Sequence, residues 1–220
     1  MLKKPNTIFF DAVGTLLKPA APVDETYHHH GLKHGSTVSR DNIRKRFHAS
    51  FDKEEMKDGH HDCITNEARE TERWESIVSE CFPDLKNTAP IFNDLFEYYS
   101  KPSAWDLYQG AIPVLQFLEN AGISWGIASN FDLRLQSIIK SKIALCNCNW
   151  LIISSLVGYK KPSRHFFEHL RVSSGVCFEE ILMVGDSPEN DIHPAKELGM
   201  QTFQIKEGQS LEDLLQLLGR

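Results

Sequence analysis

The sequence predicts an α/β fold, a Rossmann-like parallel sheet core with an α-helical cap inserted after the first strand. Short apolar runs alternate with helical stretches over residues 104–220, which is the pattern of parallel β–α units. Residues 18–103 show helical periodicity and many charges, without a convincing strand. We therefore expect a core made of residues 1–17 and 104–220, and a helical cap made of residues 18–103.

The first apolar run ends in a carboxylate. Ile8, Phe9 and Phe10 are typical of a strand that is buried on both faces, and Asp11 follows them directly. Gly14 permits a tight turn that exposes backbone N–H groups near this acid. Asp11 either belongs to a ligand site at the carboxyl edge of the sheet or only caps the turn. This stretch alone leaves both interpretations open.

The cap begins with residues 18–22, whose prolines and alanines predict a linker without a strand partner. Apolar spacing and helix breakers then predict four helices, over residues 23–34, from 39 onwards, over 66–82 and from 88 onwards. The fourth helix carries an aromatic stripe, which predicts packing in a helix bundle rather than a cofactor site. The stripe consists of Ile91, Phe92, Leu95, Phe96 and Tyr99.

The remainder of the chain alternates between strand and helix patterns. The predicted strands cover residues 123–128, 150–153, 181–184 and 200–205. The predicted helices cover residues 110–120, 131–143, 163–172, 190–198 and 211–218. Alternating units of this length predict a parallel sheet with right-handed crossovers.

Composition limits the function classes. The 220 residues are 41% hydrophobic and 25% charged, as in ordinary globular proteins, and the formal net charge of −6 argues against nucleic-acid binding. Apolar runs are too short to span a membrane, and the N-terminus leads directly into the first strand without room for a signal peptide. The five cysteines form no C-x-x-C pair, which favours reduced thiols. We expect a cytoplasmic protein.

Polar side chains follow the later strands of the predicted sheet as well. Ser129 and Asn130 follow the second strand, Lys161 lies in the exit of the third, and Asp186 follows the fourth with Asp191 nearby. A parallel sheet brings these strand ends and Asp11 to one edge. A hard cation such as Mg²⁺ would compensate the acids, and a phosphate would bind the lysine, the hydroxyl and backbone N–H groups. We expect a small phosphorylated or otherwise anionic substrate.

In order along the chain, these residues resemble the four motifs of the haloacid dehalogenase (HAD) superfamily. The matching segments are Asp11-x-x-Gly14-Thr15-Leu16, Ser129-Asn130, Lys161-Pro162 and Gly185-Asp186-Ser187-x-x-x-Asp191. The helical insertion resembles the C1 cap of subfamily I of that superfamily. Each motif alone is weak, but four in order at matching strand ends are a strong signal.

The resemblance implies a catalytic role for Asp11, Ser129 and Lys161. Asp11 is the implied nucleophile that forms a covalent aspartyl intermediate, Ser129 hydrogen-bonds a phosphoryl oxygen, and Lys161 neutralises charge. Substrate binding is implied for Gly14, Thr15, Ser129, Asn130 and Lys161. The implied Mg²⁺ ligands are Asp11, the backbone carbonyl of Val13, Asp186 and, directly or through water, Asp191.

One position departs from the resemblance. HAD phosphatases usually carry a second Asp two residues after the nucleophile, where it protonates the leaving group and activates water, and Val13 stands there in this chain. Loss of general acid–base catalysis costs typically ~10²- to 10⁴-fold in rate.

Three functions therefore stay open. The first is a Mg²⁺-dependent phosphatase weakened by Val13. The second is C–X cleavage, as in 2-haloacid dehalogenases, which are metal-independent and lack the acid of the last motif, or phosphonoacetaldehyde hydrolases, which use a cap lysine. Asp186 favours a metal over the dehalogenase chemistry, and the cap lysines Lys33, Lys45, Lys53 and Lys57 are typical of a solvated surface. The third is a catalytically weak or inactive binding protein.

Histidines are frequent in the cap. The proton donor that Val13 cannot supply could come from a cap histidine that reaches the site. The candidates are His28, His29, His30, His34, His60 and His61. His30 and His34 have the i, i+4 spacing of a metal-ligand pair, although a solvated surface is the favoured interpretation. Residues 58–62 predict a loop between cap helices that helps to select the substrate.

Overall fold

The computed structural model describes residues 5–219. In chain order the strands are β1 (Thr7–Phe10), β2 (Leu17–Pro19), β3 (Trp105–Leu107), β4 (Ser124–Ser129), β5 (Trp150–Ile153), β6 (Ile181–Gly185) and β7 (Gln201–Gln204). The helices are α1 (Val23–Lys33), α2 (Arg40–Gly59), α3 (Glu67–Cys81), α4 (Ala89–Ser100), α5 (Ala111–Ala121), α6 (Arg134–Ser141), α7 (Ser154–Val157), α8 (Arg164–Ser174), α9 (His193–Glu197) and α10 (Asp213–Leu217). No helix in this described range is long and apolar enough to cross a membrane.

Five strands form the central sheet in the order β5-β4-β1-β6-β7, and all the pairs are parallel. The strand β1 lies in the middle and is buried along its whole length. Ile8 and Phe10 pack into the apolar cluster on one face of the sheet, and Phe9 packs into the cluster on the other face. This confirms the predicted Rossmann-like parallel sheet and explains why the first strand carries consecutive apolar residues.

The helices α1 to α4 follow β2 and form an apolar cluster of their own. Tyr27, Ile43 and Ile77 are buried in this cluster together with the stripe residues Ile91, Phe92 and Leu95 of α4. The stripe therefore packs inside a helix bundle, as predicted from its spacing. Such packing supplies most of the stability of helices of this length.

The linker predicted over residues 18–22 is wrong in its first part. Leu17–Pro19 forms β2, which pairs antiparallel with β3 so that Leu17 lies opposite Leu107 and Pro19 opposite Trp105. The segment that leaves the central domain and the segment that returns to it lie side by side here. Their backbone N–H and C=O groups pair with each other. Pro19 is tolerated because it stands at the end of a short edge strand.

The helix predicted over residues 190–198 begins differently. Pro188–Ile192 forms a π-type turn, and α9 starts only at His193. The backbone N–H groups of Asp191 and Ile192 both donate to the carbonyl of Ser187, over 2.9 and 3.3 Å. This wider turn directs the carboxylate of Asp191 under the end of β6, where a Cβ on Gly185 would lie only 2.3 Å from it. Pi-type turns of this kind are frequent at functional sites.

Candidate active site

The polar ends of the central strands meet at the carboxyl edge of the sheet. Asp11 follows β1, which lies between β4 and β6, and Lys161 reaches the same point from the loop after β5. The Lys161 Nζ lies 2.7 Å from Asp11 Oδ1, 2.6 Å from Asp191 Oδ1 and 2.8 Å from the carbonyl oxygen of Ala128. The structure thus brings together the acid, the lysine and the last-motif acids that the sequence predicts to be neighbours.

Lys161 is a buried charge with two carboxylate partners. Lys161 is only 1% exposed. Burial opposes the charged form, but attraction to Asp11 and Asp191 outweighs it and raises the pKa of Lys161. The ammonium is therefore a fixed positive charge beside Asp11.

Three carboxylates converge on this lysine. Oxygen atoms of Asp11, Asp186 and Asp191 lie within 4.8 Å of one another. Burial raises the pKa of Asp11 to about 7; Lys161 opposes the rise, and the negative charges of Asp191 and Asp186 add to it. Burial, followed by the charge of Asp191, also raises the pKa of Asp186.

The donor set fits a divalent cation. When all three acids are ionised, their charges and that of Lys161 leave a formal excess of two negative charges. The raised pKa values of Asp11 and Asp186 show that this excess is costly in a buried site. Carboxylate oxygens are the ligands that Mg²⁺ prefers in proteins, so a Mg²⁺ ion at Asp11 and Asp186 would remove the imbalance.

Asp191 is engaged by protein groups on both oxygens. Its Oδ1 accepts from Lys161, and its Oδ2 accepts from the backbone N–H of Ser187 over 3.2 Å. The side chain is 2% exposed. These contacts make Asp191 the residue that holds Lys161 in position.

The turn after β1 requires glycine. Gly14 has φ of 97°, in the left-handed region, and a Cβ on it would lie 2.3 Å from Asp186 Oδ2. Any side chain here would displace the carboxylate of Asp186. Next to it, Thr15 is fully buried, and its Oγ1 finds no hydrogen-bond partner among residues 5–219.

Asn130 and Lys161 form a reciprocal pair through the backbone. The Asn130 Nδ2 donates to the carbonyl of Lys161 over 2.9 Å, and the N–H of Lys161 donates to Asn130 Oδ1 over 2.7 Å. Through these two hydrogen bonds Asn130 positions the loop that carries Lys161. Ser129, at the end of β4, is 2% exposed and lies beside this pair in the chain.

A contact between cap and core was missed at the sequence level. Lys160 is 2% exposed, and its Nζ lies 2.5 Å from Glu55 Oε1 and 3.1 Å from Asp58 Oδ2, both on α2. Beside it, the N–H of Lys160 donates to the carbonyl of Cys63, and the N–H of Thr65 donates to the carbonyl of Gly158. In the sequence, only the pair of adjacent lysines at 160 and 161 hints at this contact. Tertiary packing then decides that the two side chains point in opposite directions.

The loop predicted over residues 58–62 is wrong at its start, because α2 continues through Gly59. Asp58 is 2% exposed and is paired with Arg69, Arg73 and Lys160 rather than held over the substrate. The helix can bury the carboxylate of Asp58 because the three cations pair with its charge. Only the turn that follows the helix, with the exposed His60 and His61, fits the predicted loop.

The cap histidines at the i, i+4 spacing do not form a metal pair. His34 Nε2 lies 2.7 Å from Asp94 Oδ2, while the ring of His30 packs against Tyr98. Within the described residues, the only cluster of three metal-ligating groups is the one at Asp11. The cap lysines Lys53 and Lys57 pair with Glu80 and Glu72 on the cap surface.

A cavity of about 230 Å³ lies between cap and core beside Val13. The core contributes Val13, Trp105, Phe131 and Arg134 to its wall, and Pro19 of β2 lies beside them. The cap contributes Val23, Tyr27, Phe47, Phe51, Trp74 and Tyr99. The wall is almost entirely carbon. Val13, two residues after Asp11, therefore faces an aromatic cavity and brings no proton donor to it.

Comparisons with known proteins agree with this geometry. A family model for haloacid dehalogenase-like hydrolases matches residues 5–199. The haloacid dehalogenase-like hydrolase domain-containing protein 3 of Mus musculus is 24% identical over 210 residues, which cover 92% of this chain and 82% of that protein.

Two solved structures show the same fold. A HAD phosphatase from Thermococcus onnurineus superposes with a TM-score of 0.67 and 24% identity, covering 97% of both chains. The HAD hydrolase YfnB from Bacillus subtilis, bound to magnesium, superposes with a TM-score of 0.77 and 15% identity, covering 99% of this chain and 100% of that one. At these identities the likeness concerns the fold.

Proposed function

Because the chain belongs to the haloacid dehalogenase-like hydrolase family, we propose that it hydrolyses a small phosphate monoester with Mg²⁺ as its cofactor. The observation that carries the proposal is the buried ammonium of Lys161 between Asp11 and Asp191, with Asp186 beside them. A carboxylate nucleophile, a fixed cation and room for a divalent ion suit the transfer of a phosphoryl group.

In this proposal each residue has one task. Asp11 attacks phosphorus and forms an aspartyl phosphate, Ser129 donates to a phosphoryl oxygen, and Lys161 neutralises the charge of both groups. The backbone at Gly14 and Thr15 contacts the phosphoryl group. Mg²⁺, when bound by Asp11, Asp186, the carbonyl of Val13 and, directly or through water, Asp191, supplies further charge neutralisation. Asp191 and Asn130 act through Lys161 and its loop.

We propose the division into a core of residues 1–17 and 104–220 and a C1-type cap of residues 18–103. The separate apolar cluster of α1 to α4 supports it, as does the β2–β3 ribbon through which the chain passes twice. We propose the cytoplasm as the location, because all five cysteines are free thiols, as is usual in a reducing compartment.

Haloacid cleavage is the second candidate. Val13 favours it, because a departing halide needs no proton. Asp186 and the excess of negative charge at the site disfavour it, because a metal-independent enzyme gains nothing from a third acid beside Asp11 and Asp191. An assay of 2-chloropropionate with and without Mg²⁺ separates the two, since only phosphate ester hydrolysis is expected to require the metal.

The metal is tested by thermal unfolding. Saturating Mg²⁺ should raise the melting temperature of the wild type by about 5–10 °C, because a ligand that binds only the folded state stabilises it. Asp186→Ala should abolish this shift, whereas Asp41→Ala, an exposed acid on α2 (side chain 81% exposed), should preserve it. An equal shift in wild type and Asp186→Ala would refute the metal assignment.

The chemistry is tested by turnover of 4-nitrophenyl phosphate, whose leaving group needs little protonation. We expect Mg²⁺-dependent release of phosphate by the wild type and none by Asp11→Asn. If the wild type is as inert as that variant, the phosphatase proposal is refuted, and the 2-chloropropionate assay then separates haloacid cleavage from a binding role.

A further inference from the structure

The cavity beside Val13 indicates what the substrate carries on its phosphate. Resting on the proposed phosphatase function, we propose that the leaving group is an uncharged aromatic group, so that the substrate is an aryl phosphate monoester. The inference is drawn from the position of the cavity, its size, its wall and the missing acid at residue 13.

The position of the cavity relates it to the reacting groups. Val13 and Phe131 form part of its wall on the core side. Each stands two residues after a proposed catalytic residue, Val13 after Asp11 and Phe131 after Ser129. The cavity wall is thus continuous in the chain with the two residues proposed to hold the phosphoryl group, and the proposal places the ester group of the substrate on the side of this space.

The size of the cavity suits a single ring. Its volume is about 230 Å³. An apolar protein cavity of roughly 150 Å³ is sufficient to bind benzene. The space between cap and core thus holds a phenyl group with some room for a substituent.

The wall selects against charged and strongly polar groups. Aromatic side chains from both cap and core surround the space, among them Phe51 and Trp74 from the cap and Trp105 from the core. A carboxylate or a polyol placed among them would lose its hydration and find few hydrogen-bond partners beyond the hydroxyl groups of Tyr27 and Tyr99, which is costly. An aromatic ring gains both burial of apolar area and edge or face contacts with these rings.

Arg134 does not alter that selection. In the described part of the chain it is the only charged residue that lines the cavity. Its Nε and Nη2 donate to the two carboxylate oxygens of Asp132 over 2.8 and 2.7 Å, and its guanidinium stacks over the ring of Phe96 at 3.7 Å. The charge is already neutralised, so the cavity offers no cation to the carboxylate of a 2-haloacid or of phosphoglycolate.

The leaving group that fits the cavity also tolerates Val13. A phenol has a pKa of about 10, whereas an aliphatic alcohol lies near that of water, about 15.7. A phenolate therefore departs without a proton from the protein, and an alkoxide does not. The aromatic wall and the missing acid thus favour the same class of substrate.

The step balances as follows. A bond forms between an Asp11 carboxylate oxygen and phosphorus while the bond between phosphorus and the aryl oxygen breaks, and its electron pair leaves as a phenolate that takes a proton from solvent. Water then adds to phosphorus and breaks the acyl phosphate. Its oxygen departs in inorganic phosphate, its protons go to phosphate and solvent, and the carboxylate of Asp11 is restored.

The experiment separates this inference from the proposed function by using acetyl phosphate as the reporter substrate, because its small acyl group needs no aromatic cavity. Phenylphosphonate and methylphosphonate, which cannot be hydrolysed, are compared as competitive inhibitors of the wild type with Mg²⁺ present. Burial of one phenyl ring should make phenylphosphonate the tighter inhibitor by about 10- to 100-fold.

A pair of tryptophan variants then locates the ring. Trp74→Ala removes a wall of the cavity and should reduce the preference for phenylphosphonate at least fivefold. Trp150→Ala is an equal truncation on the other face of the sheet, packed against Phe9, and should leave the preference unchanged.

The outcomes are distinct. If the wild type hydrolyses acetyl phosphate no faster than Asp11→Asn does, the proposed function is overturned, and the inference with it. Hydrolysis of acetyl phosphate with equal inhibition by the two phosphonates would overturn the aromatic substrate alone. A preference for phenylphosphonate that survives Trp74→Ala would also overturn it.

Discussion

Val13 shows how one side chain changes what the same site can do. It occupies the position two residues after Asp11, and its side chain lines an aromatic cavity rather than a polar one. The neighbouring groups keep the arrangement on which the proposed phosphoryl transfer rests, with Lys161 held by Asp11 and Asp191. The substitution therefore removes proton transfer and leaves the electrostatics in place.

Val13→Asp should restore proton transfer to the leaving group. We expect the turnover of an alkyl phosphate such as cyclohexyl phosphate to rise by about 10²-fold or more, and by more than that of phenyl phosphate, because activation of water helps both substrates whereas only the alkoxide needs the proton. Steady-state release of phosphate measures both.

Val13→Asn is the matched control for this variant. It has nearly the shape of Val13→Asp but cannot exchange a proton, so it should show no gain. An equal rate for Val13→Asp and the wild type on cyclohexyl phosphate would mean that acid–base catalysis is not what the site lacks.

Between elements, one buried acid adds to the apolar packing of α1 on α2. Asp24, in the first turn of α1, accepts from Arg40 Nε over 2.9 Å and from Arg44 Nη2 over 2.5 Å. Its side chain is 10% exposed. The hydrogen bond from Arg40 is the main cause that lowers the pKa of Asp24 to about 2, with a smaller contribution from Arg44.

This pair predicts a pH-dependent loss of stability. A carboxyl whose pKa falls from 3.8 to about 2 on folding stabilises the protein above pH 3.8, and the contribution is lost as the pH falls towards 2. Because both arginines are partly exposed, we expect it to be worth about 1–2 kcal/mol at pH 7.

Asp24→Asn measures this contribution directly. The difference in free energy of unfolding between wild type and variant, from urea titrations, should be constant between pH 7 and 5 and shrink from pH 4 downwards. A difference that stays constant down to pH 3 would show that the variant acts through packing rather than through charge.

On the scale of the whole molecule, Lys160 joins the cap to the catalytic loop. Its ammonium is buried against Glu55 and Asp58 of α2, while the next residue, Lys161, points to Asp11. Two adjacent lysines thus tie the same loop to the cap on one side and to Asp11, the proposed nucleophile, on the other. Because Lys160 and Lys161 are neighbours in the chain, a shift of the cap would also shift Lys161.

Lys160→Met should therefore weaken the whole structure. The variant keeps most of the aliphatic stem but leaves the buried carboxylate of Asp58 and the half-buried one of Glu55 with less positive charge, and breaking a buried pair costs about 3–5 kcal/mol. We expect that loss in the free energy of unfolding, together with a lower kcat on 4-nitrophenyl phosphate, because the loop of Lys161 loses its anchor on the cap.

Lys53→Met provides the comparison for this variant. Lys53 pairs with Glu80 over 2.9 Å, but its side chain is 63% exposed, so its loss should cost less than about 1 kcal/mol and leave kcat unchanged. Equal effects of the two substitutions would exclude a special role for Lys160.

The fold and the members of the site could be predicted from the sequence to a large extent. Consecutive apolar residues predict strand β1. Polar residues at the strand ends meet because a parallel sheet has a single carboxyl edge. The bounds of an element could not be predicted where a contact with a distant segment decides them. The strand β2 forms only because β3 returns beside it, and the π-type turn at 188–192 forms around the carboxylate of Asp191.

By itself, the sequence determined the parallel sheet, the helical insertion and the chemistry gathered around Asp11, because local periodicity and strand-end residues encode them. Only the tertiary structure decided that Asn130 binds the loop of Lys161, that Lys160 turns to the cap and that Val13 faces a ring of aromatic side chains. These contacts join segments far apart in the chain. Their partners are chosen by packing and by the cost of leaving buried charges unpaired, which no local pattern records.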